Sequence, residues 1–131
     1  MSYRWVEHTA EIEMEIEAST EAAVFRDALH AVSELLDSDA PGEQISREVT
    51  VGGHERAALL VRWLDELVYL AETEDLVPDD AERIEFSGRG LVATVLCHRG
   101  SPRHLIKAAT YHRLVFERSA QGFLARVVLD V

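Results

Sequence analysis

The sequence predicts an α+β domain, a two-layer sandwich in which a mostly antiparallel or mixed sheet of about seven strands carries two amphipathic helices. Three observations lead there. Residues 11–18 alternate strictly, setting Glu11, Glu13, Glu15 and Glu17 opposite Ile12, Met14, Ile16 and Ala18, the period-two signature of a half-buried strand. Two segments instead repeat their apolar residues every three to four positions: Phe25, Ala28, Leu29, Val32, Leu35 and Leu36 in the first, and Leu60, Trp63, Leu64, Leu67, Val68 and Ala71 in the second. The remaining extended runs are separated by glycine-bearing turns, and they do not alternate βαβα as a doubly wound sheet requires.

Taken in order, residues 3–7 read as a short strand ahead of the alternating one. Ser19 or Thr20 caps the first helix, with Glu21 in its first turn, and residues 37–42, including Pro41-Gly42, end it. An extended run over 45–51 closes at Gly52-Gly53, and the second helix starts near His54 and stops before Pro78. An acidic loop is expected over 73–80. Residues 82–86 and 91–97 flank Ser87-Gly88-Arg89-Gly90 as a hairpin, and the second of these strands, apolar on both faces, belongs in the middle of a sheet. Residues 111–117 and 123–131, around Ser119-Ala120-Gln121-Gly122, form a closing hairpin.

The 131 residues make one domain over 1–131, and their 47% apolar content is enough for one core. No run reaches the roughly 18 apolar residues of a membrane span, because even the stretch 59–70 is broken by Arg62, Asp65 and Glu66. The N-terminus lacks an apolar export signal, so the cytoplasm is the expected compartment. The one cysteine, Cys97, lies in an apolar strand and is expected to be buried and inert. A net charge of −11 with scattered basic residues disfavours strong direct nucleic-acid binding. The densest basic stretch, over 98–107, is expected to be a solvated loop.

Phosphate-loop, nucleophile-elbow and HExxH signatures are all missing, so no catalytic residue is assigned. The more suggestive grouping is His8-Thr9-Ala10-Glu11 at a strand junction together with Leu129-Asp130-Val131 at the other end. Carboxylates so placed satisfy the preference of hard cations for oxygen. On pattern alone, Glu11 as solvated charge and Asp130 as one side of a cross-strand ion pair explain them equally well. For His8 and His112 the plain alternative is a structural histidine.

Tyr3, residues 7–12 (EHTAEI), 59–70 (LLVRWLDELVYL), 106–112 (IKAATYH) and Asp130-Val131 occur in an order and spacing that resemble the archease family over nearly the whole chain. The resemblance implies a non-catalytic partner of an RtcB-type RNA ligase, promoting its guanylylation and turnover in transfer-RNA splicing and repair. It further implies a metal site formed by Glu11, Asp130 and a backbone oxygen of Val131. These are oxygen donors suited to calcium or magnesium. Lys107, Tyr111 and His112 match the family's KAxTYH block and, with His8, are expected beside the acidic pair or on the partner surface.

This chain departs from the family in having Glu11 in place of aspartate and Glu13 in place of glycine. The first change lengthens the ligand by a methylene, which suits calcium better than magnesium; the second removes a permissive backbone position. Two other readings follow from the same residues: a metal-dependent hydrolase or nuclease with His112 as general base, and a divergent archease-like binding module without ligase activation.

Overall fold

The computed structural model describes residues 2–8, 10–38 and 42–131, with the side chains of Glu7 and His8 outside the description. The expected turn at Pro41 and the junction residue Thr9 also lie outside the described residues. Nine elements follow in order: β1 (Ser2–His8), β2 (Glu11–Ala18), α1 (Glu21–Leu36), β3 (Gln44–Gly52), α2 (Arg56–Thr73), β4 (Leu76–Ser87), β5 (Gly90–Arg99), β6 (Ala108–Ser119) and β7 (Gly122–Asp130). The seven strands divide into two sheets, β1-β2-β7-β6 and β3-β5-β4, and every pairing is antiparallel. Antiparallel pairing follows from the connections: most neighbouring strands are joined by tight turns, which cannot link parallel strands.

Helix α1 begins where Thr20 Oγ1 accepts the Ala23 N–H at 3.1 Å, and it ends at Asp37, whose left-handed backbone returns an N–H to the Ser33 carbonyl. Both helices bridge the two sheets. α1 packs on β1, β2 and β7 of one and on β4 of the other, while α2 packs on β6 of the first and on β3 and β4 of the second. Their apolar stripes therefore meet the inner faces of both sheets in one core, centred on Phe25, Trp63, Met14 and Leu64. The Trp63 indole is fully enclosed and donates to the Phe25 carbonyl at 3.0 Å, removing the cost of a buried, unpaired N–H. Among the described residues, no helix is long and apolar enough to cross a membrane.

Strand β5 is central to its sheet, as its two-sided apolar character predicts. The acidic loop expected over 73–80 is a correction: the chain enters β4 at Leu76, and Leu76, Val77 and Pro78 are buried. The ladder absorbs the proline by register shifts at Pro78/Asp80 and Ala81/Arg83, as an edge strand can. The acidic residues are held by imidazoles, Asp79 by His98 at 2.8 Å and Asp80 by His30 at 2.9 Å. Burial raises the Asp80 carboxyl, but the bonds from His30 and the Ala81 N–H outweigh it and the net shift is downward. Cys97 is enclosed, and burial together with the charge of Asp79 pushes its thiol up to about 11, which leaves it unreactive.

Candidate functional site

Strand β2 turns Met14, Ile16 and Ala18 into the core, so its odd-numbered glutamates occupy the opposite, outward face. On that face Glu15 accepts from Arg4 at 3.0 Å and from Arg126 at 3.1 Å. The bond from Arg4, joined by Arg126, holds the Glu15 carboxyl below the usual range. The arginine of β7 is thus engaged four residues away from Asp130. Glu11 begins β2, and its register partner on β7 is Asp130. Directly opposed antiparallel residues share a face with Cβ atoms about 5 Å apart, so residues from opposite ends of the chain are brought side by side.

The backbone fixes this corner from three directions. Val131 N–H donates to the Ala10 carbonyl at 3.3 Å, and Lys107 N–H donates to the Asp130 carbonyl at 2.8 Å. Ala108 then pairs with Asp130 from β6, and His8 pairs with Glu11 from β1. Ala10, immediately before Glu11, has φ 61°, a left-handed conformation that costs a residue with a Cβ roughly 1–2 kcal/mol. Val131 is half-buried and its side chain packs on the core. Glu11, Asp130 and Val131 are therefore gathered at one corner. Among the described residues, no group of three or more His, Cys, Asp and Glu side chains is placed to hold a metal, so a cation there would rest on two carboxylates and backbone oxygen.

Lys107, Tyr111 and His112 are exposed. Lys107 adjoins the acidic pair through its backbone. Tyr111 and His112 lie further along β6, at least three residues from the register partner of Asp130, roughly 10 Å of extended chain. They fall in a bulge. Thr110 opposes Val128 and Val115 opposes Arg126, which leaves residues 111–114 facing Val127 alone. Arg113 takes φ 54° inside it. Thr110 anchors the bulge by donating its hydroxyl to the Val128 carbonyl at 3.1 Å and accepting the His112 N–H at 3.3 Å. The expected closing hairpin is present, but its first strand, expected over 111–117, runs longer, over Ala108–Ser119, and is interrupted.

One residue that sequence reasoning set aside positions this corner. Asp65 of α2 accepts the Ala109 N–H at 2.7 Å, tying the helix to the start of β6. Burial raises its carboxyl pKa and the Ala109 bond offsets that only in part. Asp65 also lines a cavity of about 310 Å³ with Tyr69, Glu72, Thr73 and Lys107. In the sequence it was one more polar residue off the α2 stripe; only the tertiary contact distinguishes it.

The archease protein family (MTH1598/TM1083) matches residues 3–131. This chain belongs to the archease family. It is 33% identical over 138 residues to the protein archease of Archaeoglobus fulgidus, covering the whole of both chains. It is 32% identical to the archease of Methanosarcina mazei, over 98% of this chain and 95% of that one. Its fold is similar to the solution structure of Methanobacterium thermoautotrophicum protein 1598, with TM-score 0.72, 25% identity and 98% of each chain covered. It is likewise similar to the crystal structure of an archease, described as a possible chaperone, from Thermotoga maritima, with TM-score 0.70, 25% identity, and 96% of this chain and 94% of that chain covered.

Proposed function

We propose that this archease is a cytoplasmic, non-catalytic activator of an RtcB-type RNA ligase in transfer-RNA processing, and that it works with a divalent cation bound at Glu11, Asp130 and Val131. One observation supports the reading: Glu11 and Asp130 are register partners on adjacent strands, and Val131 is bonded through its N–H to Ala10 at the same corner. The donors are all oxygen, the chemistry of calcium or magnesium and not of zinc. Glu11 and Asp130 would supply charge, Val131 a backbone oxygen, and water the rest. The cation would supply a fixed positive charge able to organise phosphate or carboxylate oxygens of the partner's active site. Exposed Lys107, whose backbone N–H bonds the Asp130 carbonyl, would add an ammonium for the same purpose.

The net charge of −11 favours encounter with a basic, RNA-binding partner. The test is to mix the protein with its cognate ligase and follow covalent guanylylation. Wild type should raise the rate and turnover, and Asp130→Ala should abolish the effect. Calcium should raise thermal stability by mass action, about 2.7 kcal/mol at a hundredfold excess over Kd, in wild type and not in Glu11→Ala. An unchanged ligase rate, or RNA cleavage by the purified protein alone that Asp130→Ala removes, overturns the activator reading.

A further inference from the structure

A second recess lies on the inner side of β1 and β2, where α1 ends and leaves the sheet uncovered. Its volume is about 280 Å³, and it is lined by Trp5, Ile12, Leu35, Glu34, Asp37 and His104. Trp5 opposes Met14 on the adjacent strand and so shares the inner face, and Tyr3 braces it edge-on at 6.0 Å between ring centroids. The Tyr3 hydroxyl in turn donates to Glu34. The wall is thus aromatic and aliphatic, and the rim carries two carboxylates.

Those carboxylates stand at the negative end of a helix that lacks a cation of its own. The last turn of α1 contains no basic residue, and Glu34 and Asp37, three positions apart, are neighbours on its surface. Asp37 has a long ion pair with the Arg103 guanidinium at 3.9 Å and stands 3.9 Å from the His104 imidazole, both beyond hydrogen-bond distance. A guanidinium is the one protein group matched to both features. Its plane stacks on an indole, its stem covers leucine and isoleucine, and its fork reaches two carboxylates. A lysine ammonium would lose the stacking and the fork.

We infer that this recess receives a single arginine side chain of a protein partner. Choosing the ligase as that partner rests on the function proposed above, while the arginine specificity rests on the recess alone. The experiment titrates the labelled protein with a blocked Gly-Arg-Gly peptide and follows the two indole N–H resonances, with enclosed Trp63 as the internal reference. The Trp5 signal should shift saturably and that of Trp63 should not. Citrulline in place of arginine should give no shift, and lysine a weaker one.

Glu34→Gln and Asp37→Asn, both at exposed positions, should each weaken binding about threefold, and together roughly tenfold, the scale of partly exposed ion pairs. Equal shifts with citrulline or with a leucine peptide overturn the inference. So does a Trp5 shift that depends on protein concentration alone, since a second copy would then be the occupant. In capture assays with the ligase, the double variant should bind less than wild type. Full capture by the double variant refutes this site while leaving the activator reading standing; peptide binding without any ligase capture does the reverse.

Discussion

Replacing Asp65 separates two contributions that the structure combines in one carboxylate. Its oxygen accepts the N–H of Ala109, a residue only 6% exposed, so Asp65→Ala leaves that donor buried and unpaired. Such a group costs about 1–3 kcal/mol, and roughly 2 kcal/mol corresponds to a drop in Tm of about 6–8 °C for a chain of this size. Asp65→Asn keeps an acceptor and removes the charge that burial disfavours. Because burial raises the folded-state pKa of Asp65, its stabilising contribution is complete below about pH 3.9 and is lost as pH rises through the folded value. At pH 7, therefore, Asp65→Asn should equal or exceed wild type, and that advantage should vanish near pH 4. Urea unfolding of the three proteins at both pH values measures this. An alanine variant within about 0.5 kcal/mol of wild type, or an asparagine variant as damaged as the alanine one, refutes the anchoring role.

Asp27 is 3% exposed, and its Oδ2 has no hydrogen-bond partner among the described residues; burial raises its pKa despite His30 and Arg26 nearby. Asp27→Asn should add about 1 kcal/mol at pH 7, and the gain should disappear below about pH 4; a pH-independent difference in chemical unfolding would contradict this. At the left-handed Ala10, glycine should stabilise by about 0.5–1 kcal/mol and valine should destabilise by at least about 1 kcal/mol, both read from Tm. Glycine less stable than alanine there would show that the turn is not strained.

Much of this architecture was legible wherever periodicity was strong. β2 has the predicted bounds of 11–18, and Thr20, one of the two proposed caps, caps the start of α1. The failures have a common cause. The acidic stretch around Asp79 and Asp80 looked solvated because its partners, His98 and His30, are 19 and 50 residues away. By contrast, the basic stretch over 98–107 is, beyond Arg99, the largely exposed connection that was expected, with Arg99 3.9 Å from Glu43 and Arg103 3.9 Å from Asp37. The pairing of Glu11 with Asp130 spans nearly the entire chain. Local pattern placed each on a strand and explained each equally well as ordinary surface charge; the resemblance favoured joining them, and the ladder between β2 and β7 supplies the physical means.

Strand β6 forms one border of the four-stranded sheet, and borders of this kind invite further chains to add on through their free amides and carbonyls. Here three surplus residues, in a bulge that includes a left-handed arginine, interrupt the ladder midway, so a foreign strand could follow it for only a few residues before losing step. The polypeptide thereby presents Tyr111 and His112 outward while denying visitors a continuous backbone template. Recognition along this border must proceed through side chains, which can discriminate between visitors, and not through sheet extension, which accepts almost any of them.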